Sequence, residues 1–157
     1  MTETAAREQF RSLITDIVSF IGARALGSAL QEALNQRFPA QGQVYASLLG
    51  TCKTAIAEGW MCAREAEGIR YGRVFKPQDL GGYSVDVVDM HDMQGPHHRH
   101  PKGEIDLIMP LTVGATFDDH EAGWLVYEPQ SAHYPTVSGG QALVLYLLPQ
   151  GAIEFTR

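Results

Sequence analysis

The sequence predicts a mainly β protein with an N-terminal α-helical segment, a barrel of short strands packed against about three helices. Three observations predict it. Apolar residues recur at helical spacing through the first part of the chain, Gly and Pro then punctuate short β-rich runs, and all six histidines fall among those runs. A length of 157 residues is usual for one domain. Residues 1–157 are therefore expected to form a single domain, with a helical segment over 1–59 and the barrel over 60–157.

The first helix is read from Phe10, Leu13, Ile14, Ile17, Val18 and Ile21, whose steps of three and four residues put them on one face. Gly22 and Gly27 interrupt the stripe. A second stripe, Leu26, Ala29, Leu30, Ala33 and Leu34, runs to Phe38-Pro39, where proline stops helix propagation. The third, Val44, Leu48, Cys52, Ala55 and Ile56, ends at Gly59, which suits the left-handed geometry that closes a helix. From Trp60 onward the runs are short and rich in Val, Ile, Tyr and Thr. Strands are expected over 60–66 and 69–75 around Glu67-Gly68, then over 83–90, 104–111, 116–117, 124–128, 141–148 and 152–155. Gly81-Gly82, Gly139-Gly140 and Pro149-Gln150-Gly151 are read as chain reversals. Seven or eight strands at this spacing make a sandwich or barrel. The helices are expected to pack onto it, covering a sheet edge or lidding a pocket.

Composition excludes several classes of function. The chain is 45% hydrophobic and 19% charged, ordinary values for a globular protein, and no segment reaches the ~20 apolar residues of a membrane span. With a formal net charge of −6 and its twelve Lys and Arg scattered, it offers no basic track for nucleic acid. Cys52 and Cys62 form no Cys-x-x-Cys pair, so they are expected as buried thiols in a reducing cytoplasm. Met1-Thr2-Glu3-Thr4 carries an acid in place of a basic run, and no export signal is expected.

Four of the histidines crowd into Met90-His91-Asp92-Met93-Gln94-Gly95-Pro96-His97-His98-Arg99-His100. Alternate residues of a strand share a face, so His98 and His100 converge while Arg99 points away. His97 is out of phase with them, although a shift of register would exchange it for His98. Pro101-Lys102-Gly103 supplies a turn that brings Glu104 back to the same side, giving His-x-His-x-x-x-Glu. His133 adds a third imidazole from beyond the turn at Pro129. Three neutral imidazoles and a carboxylate suit a divalent transition metal, Fe, Mn, Ni or Zn, with positions left for water or substrate. Spacing does not choose among these ions. The competing reading is a polar loop of packed or solvated histidines, which a lone His-x-His would favour. His120, after Asp118-Asp119, is expected in a solvent-exposed turn, and His91-Asp92 lacks the serine elbow of a hydrolase.

These residues resemble the cupin superfamily, whose first motif is His-x-His-x-x-x-Glu and whose second is a glycine, five residues, a proline and then a histidine. Here the second is Gly123-Trp124-Leu125-Val126-Tyr127-Glu128-Pro129-Gln130-Ser131-Ala132-His133. Pro129 to His133 is one residue shorter than usual, and Ser131 stands where glycine is common. A closer resemblance, over most of the chain, is to the bacterial p-hydroxylaminobenzoate lyase family. It is carried by His98-Arg99-His100-Pro101-Lys102-Gly103-Glu104-Ile105-Asp106, by Gly123-Trp124-Leu125-Val126-Tyr127-Glu128-Pro129 and by Ser138-Gly139-Gly140-Gln141-Ala142-Leu143-Val144-Leu145-Tyr146-Leu147-Leu148-Pro149. The resemblance implies a cupin-like double-stranded β-helix. It also implies a lyase that converts 4-hydroxylaminobenzoate and water to protocatechuate and ammonium in nitroaromatic degradation.

On this reading His98, His100, Glu104 and His133 hold the metal, and Glu104, Tyr127 and Asp106 are the catalytic candidates, with Tyr134 and Glu128 also near. A small aromatic acid substrate needs a cation, for which Arg70, Arg73, Lys102 and Arg99 stay open, and apolar walls, for which Ile108, Trp124 and Leu145 are candidates. Open strand edges make a homodimer the expected assembly, with neither nucleic acid nor membrane as partner. The alternatives are another metal-dependent cupin enzyme, a dioxygenase or a β-eliminating lyase, and a non-enzymatic cupin that binds a small molecule.

Overall fold

The computed structural model describes residues 2–156. Three helices come first: α1 (Glu3–Ile21), α2 (Ser28–Arg37) and α3 (Gln43–Glu58). Thr2 caps α1 by accepting a hydrogen bond from the Ala5 amide, and Phe10, Ile14, Ile17 and Ile21 are the buried stripe. Ten strands follow: β1 (Arg64–Ala66), β2 (Ile69–Phe75), β3 (Tyr83–Gln94), β4 (His98–His100), β5 (Glu104–Pro110), β6 (Thr116–Phe117), β7 (Gly123–Tyr127), β8 (Ser131–His133), β9 (Thr136–Pro149) and β10 (Glu154–Phe155). They form two antiparallel sheets. The larger has the order β1-β2-β3-β9-β5-β7 with β6 on β9, and the smaller has the order β10-β4-β8.

Strand parity separates two cores. Ile105, Leu107 and Met109 of β5, Trp124 and Val126 of β7 and Leu143, Leu145 and Leu147 of β9 face the helices and join their buried stripes in one cluster. The alternate residues Ile108, Leu125, Val144 and Tyr146 face the opposite way, into the space between the sheets. One layer of helices therefore covers the convex face, and the concave face is left for the site. Of the two placements expected for the helices, the structure shows the first. Asn35 of α2 accepts from the Trp124 amide at 2.8 Å and donates to the Trp124 carbonyl at 3.0 Å, while Gln31 accepts from the Val126 amide at 2.9 Å. Side-chain amides thus occupy the open edge of β7, which would otherwise be free to pair with another strand.

Several boundaries differ from the sequence expectation. The run 60–66 is strand only over its last three residues, because the chain leaves the extended region at Cys62, where φ is +56, with Met61 and Cys62 packed into the core. Gly139-Gly140 is not a reversal. β9 runs through it as a bulge opposite Asp92, with positive φ at both glycines and the Asp92 carboxylate accepting from the Gly140 amide at 3.0 Å. A Cβ on Gly140 would sit 2.4 Å from Thr112, so side-chain bulk is excluded there. Cys52 and Cys62 are free and buried, and burial pushes the Cys62 thiol up to about 12. No helix among the described residues is long and apolar enough to cross a membrane.

Candidate metal centre

β4 and β8 pair with His98 opposite His133 and His100 opposite Ser131. Because β4 is a strand, His98 and His100 point to one side, and both are almost wholly buried, at 2% and 0% exposure. The turn after β4 closes with a bond from the Gly103 amide to the His100 carbonyl, 3.2 Å. Gly103 has φ +90, and a Cβ there would meet the Tyr127 carbonyl at 2.7 Å, so only glycine lets the chain double back and deliver Glu104 from β5. One ligand atom from each of His98, His100, Glu104 and His133 lies within 4.8 Å of all the others. The structure brings all four expected ligands together, and His98, not His97, is the inward residue.

The hydrogen bonds around this cluster fix the tautomers of His100 and His133. Ser131 donates its one hydroxyl hydrogen to the Glu128 carbonyl at 2.6 Å, so at 2.9 Å it accepts from Nδ1–H of His100. His133 gives Nδ1–H to Asp118 Oδ2 at 2.5 Å. Both rings therefore turn an Nε2 lone pair into the cluster. There His133 Nε2 lies 3.1 Å from His98 Nε2, and Glu104 Oε1 lies 3.1 Å from His100 Nε2 and 3.4 Å from His98 Nε2. The fourth contact, His133 Nε2 to Glu104 Oε2, is 3.7 Å. His100 Nε2 and both Glu104 oxygens are buried without an aligned hydrogen-bond partner. At such distances these atoms repel unless a proton or a cation lies between them. Donors ~2.1 Å from one ion and ~90–109° apart stand ~3.0–3.4 Å from each other, which matches three of these four separations. The residues fit a divalent transition ion.

Electrostatics sort the carboxyls. Burial opposes ionisation of Glu104, but protonated His100 and His98 beside it, whose place a bound cation would take, hold its carboxyl well below the usual range. Asp106, two residues on and on the same face, is pushed far above that range by burial and then by the Glu104 charge. Neither of its oxygens has an aligned hydrogen-bond partner. Asp118 is held low despite burial because His133 and Tyr127 donate to it. The Tyr127 hydroxyl bonds Asp118 Oδ2, and its ring stands 4.6 Å from that of His133.

Other expectations divide. Ile108 faces the concave side, but Trp124 and Leu145 lie in the helix-side core and cannot wall a pocket there, because their strand parity is opposite. Glu128 and Tyr134 are exposed, the Tyr134 ring tilted against that of His97 with centroids 4.7 Å apart. His120 is exposed, as expected. Asp118, Ser131 and Tyr146 were not singled out from the sequence. Tyr146 had a readable signal, since it shares parity with Ala142 and Val144 on a long strand. Asp118 had none nearby, because it reaches His133 through the pairing of β6 with β9.

Two facing antiparallel sheets with three histidines and a glutamate gathered between them define a cupin-like barrel with a site able to hold a metal. The chain belongs to the 4-hydroxylaminobenzoate lyase (PnbB) family, whose model matches residues 12–155. It is 32% identical to a 4-hydroxylaminobenzoate lyase of Nocardioides sp. (strain LMS-CY) over 84% of both chains. It is 25% identical to a 4-hydroxylaminobenzoate lyase of Pseudomonas putida over 95% of both. Among solved structures, an RmlC-like cupin protein of Ralstonia eutropha JMP134 aligns with 55% of this chain and 59% of its own, at 16% identity and TM-score 0.42. A protein of unknown function with a cupin-like fold from the same organism aligns with 58% of this chain and 60% of its own, at 20% identity and TM-score 0.44.

Proposed function

We propose that the protein is a metal-dependent lyase converting 4-hydroxylaminobenzoate and water to protocatechuate and ammonium. The observation that carries the metal dependence is the convergence of one ligand atom each from His98, His100, Glu104 and His133, with His100 Nε2 and both Glu104 oxygens buried and unpartnered, in a chain of this family. A divalent ion held there, Fe, Mn, Ni or Zn, supplies Lewis acidity toward oxygen at the N–O bond and acidifies water. No external oxidant enters, because cleavage of N–O reduces nitrogen as the ring gains oxygen.

The chain's own groups handle protons and position. Asp106, whose carboxyl burial and the neighbouring Glu104 charge push toward its protonated form, serves as proton source for the departing hydroxylamine oxygen and then as base for the ring hydrogen lost on rearomatisation. Glu104, fully buried and ionised, fixes the negative charge of the centre. Tyr127 commits its hydroxyl hydrogen to Asp118, so it acts by holding the Asp118–His133 pair in place. Tyr146, on the inner face of β9 between Asp86 and Asp106 in register, keeps its phenol protonated through burial and the surrounding acids and offers a hydrogen-bond donor.

The test is incubation with 4-hydroxylaminobenzoate, with and without a chelator, followed by catechol and ammonia release. Equimolar protocatechuate and ammonia from metal-loaded protein, lost on chelation and restored by metal, is the expected result. Full turnover by metal-stripped protein would end the metal dependence, and no product from the loaded protein would end the assigned reaction.

A further inference from the structure

A cavity of about 810 Å³ opens over the concave face of the large sheet, beside the β1–β2 hairpin. Ile69, Tyr71, Val88, Met90, Leu148 and Phe155 give it mainly apolar walls, suited to a planar ring. His98 borders it at the metal centre, with its ring 6.5 Å from that of Tyr146. Arg73 borders it on the far side. Arg73 stands opposite Asp86, and Asp86 opposite Tyr146. Two strand spacings, ~10 Å in all, therefore separate the Arg73 backbone from that of Tyr146. Arg73 shares a face of the sheet with Asp86 and Tyr146 and stands partly exposed at the cavity's outer end, so the span from it to the metal end is of the order of a benzene ring and its two para substituents.

The other cations expected near a substrate stand elsewhere. Arg99 is bound to Glu154 and Gln130. Arg70 pairs in register with Asp89, on the face of β2 opposite to Arg73, and Lys102 is exposed in the turn before Glu104. Arg64 lines the cavity one strand further out, opposite Tyr71. Arg73 is held in place: Nε and Nη2 donate to the two Asp86 oxygens at 3.0 and 3.1 Å, and Nη1 has no hydrogen-bond partner among the described residues. A planar fork anchored along one edge presents its remaining N–H groups with little further entropy loss.

Resting on the substrate reading above, we propose that Arg73, oriented by Asp86, binds the carboxylate of an aromatic acid whose ring fills this cavity and whose nitrogen substituent reaches the His98 end. Arg73 is then the residue that selects a para-carboxylated ring, and Asp86 is its positioning residue. The experiment is calorimetric titration of metal-loaded wild type, Arg73→Gln and Arg73→Lys with two unreactive probes, 4-aminobenzoate and 4-aminobenzamide. Arg73→Gln is expected to bind 4-aminobenzoate about 10–100-fold more weakly, the loss of charge-assisted hydrogen bonds. Its affinity for the uncharged amide is expected to be unchanged, which also shows an intact cavity. Arg73→Lys, which keeps the charge without the fork, is expected to fall between. The proposal is overturned by equal weakening of both probes, by an unchanged 4-aminobenzoate affinity in Arg73→Gln, or by a wild type that does not bind 4-aminobenzoate. Arg73-dependent binding without turnover of 4-hydroxylaminobenzoate would keep the carboxylate site and discard the reaction.

Discussion

Asp118 takes three donors at once: His133 Nδ1–H and the Tyr127 hydroxyl on Oδ2, and the Thr136 amide on Oδ1 at 2.9 Å. An amide has one acceptor oxygen and an NH2, so Asp118→Asn sets a donor against a donor and releases the ring that presents His133 Nε2. Removing such a partner typically costs 10–100-fold in metal affinity, the loss expected here by competition with a chromophoric chelator. An unchanged affinity would mean that His133 needs no support. Asp106 gives a prediction of opposite character. Its folded carboxyl lies far above the ordinary ~3.9. Between those values the folded chain holds a proton that the unfolded chain has released, so its contribution to stability is present below ~3.9 and declines as pH rises toward the folded value. Asp106→Asn keeps the shape and removes the titration. Metal-free Asp106→Asn should therefore gain in Tm over metal-free wild type as pH goes from 4 to 8, and parallel curves would refute a protonated Asp106.

At the scale of elements, the anchoring of α2 on β7 is open to measurement. Asn35→Ala strips partners from the Trp124 amide and carbonyl on a buried edge, and a loss of about 2 kcal/mol is expected from the urea midpoint. A change within error would show that water replaces the side chain. The same elements show what was legible in the sequence. The helices were readable because each buries a stripe, as Phe10, Ile14, Ile17 and Ile21 do, and β2 and β5 because each is a short β-rich run set off by Gly and Pro. β8 has three residues, too few for any period, although its His133 was readable as a ligand type. Gly139-Gly140 misleads because a glycine pair permits positive φ in a bulge as readily as in a turn, and only the partner strand decides. Ser131 and Asp118 escape for a related reason. Each matters through a residue brought alongside by pairing, and pairing is set by the whole sheet.

Across the whole molecule, the ligand set joins the two sheets. Glu104 comes from β5 of the large sheet, whereas His98, His100 and His133 come from β4 and β8 of the small one. The small sheet has only three short strands, and its own backbone pairing is limited to five residue pairs, three between β4 and β8 and two between β4 and β10. Without an ion, lone pairs and a buried carboxylate face each other between the sheets. With one, the same atoms attract. Metal should accordingly act on the global unfolding transition and not merely on local order. For an ion that binds only the folded chain, a thousandfold excess over Kd adds about 4 kcal/mol, or roughly 10 °C in Tm for a chain of this size. Calorimetry of chelator-treated protein titrated with Zn, Mn, Ni or Fe(II) should show one cooperative transition moving upward by that order for whichever ion binds. In a His98→Ala/His133→Ala double variant two of four ligands are gone and the shift should largely vanish. A shift of equal size in that variant would place the binding elsewhere and separate the cluster from the stability of the barrel.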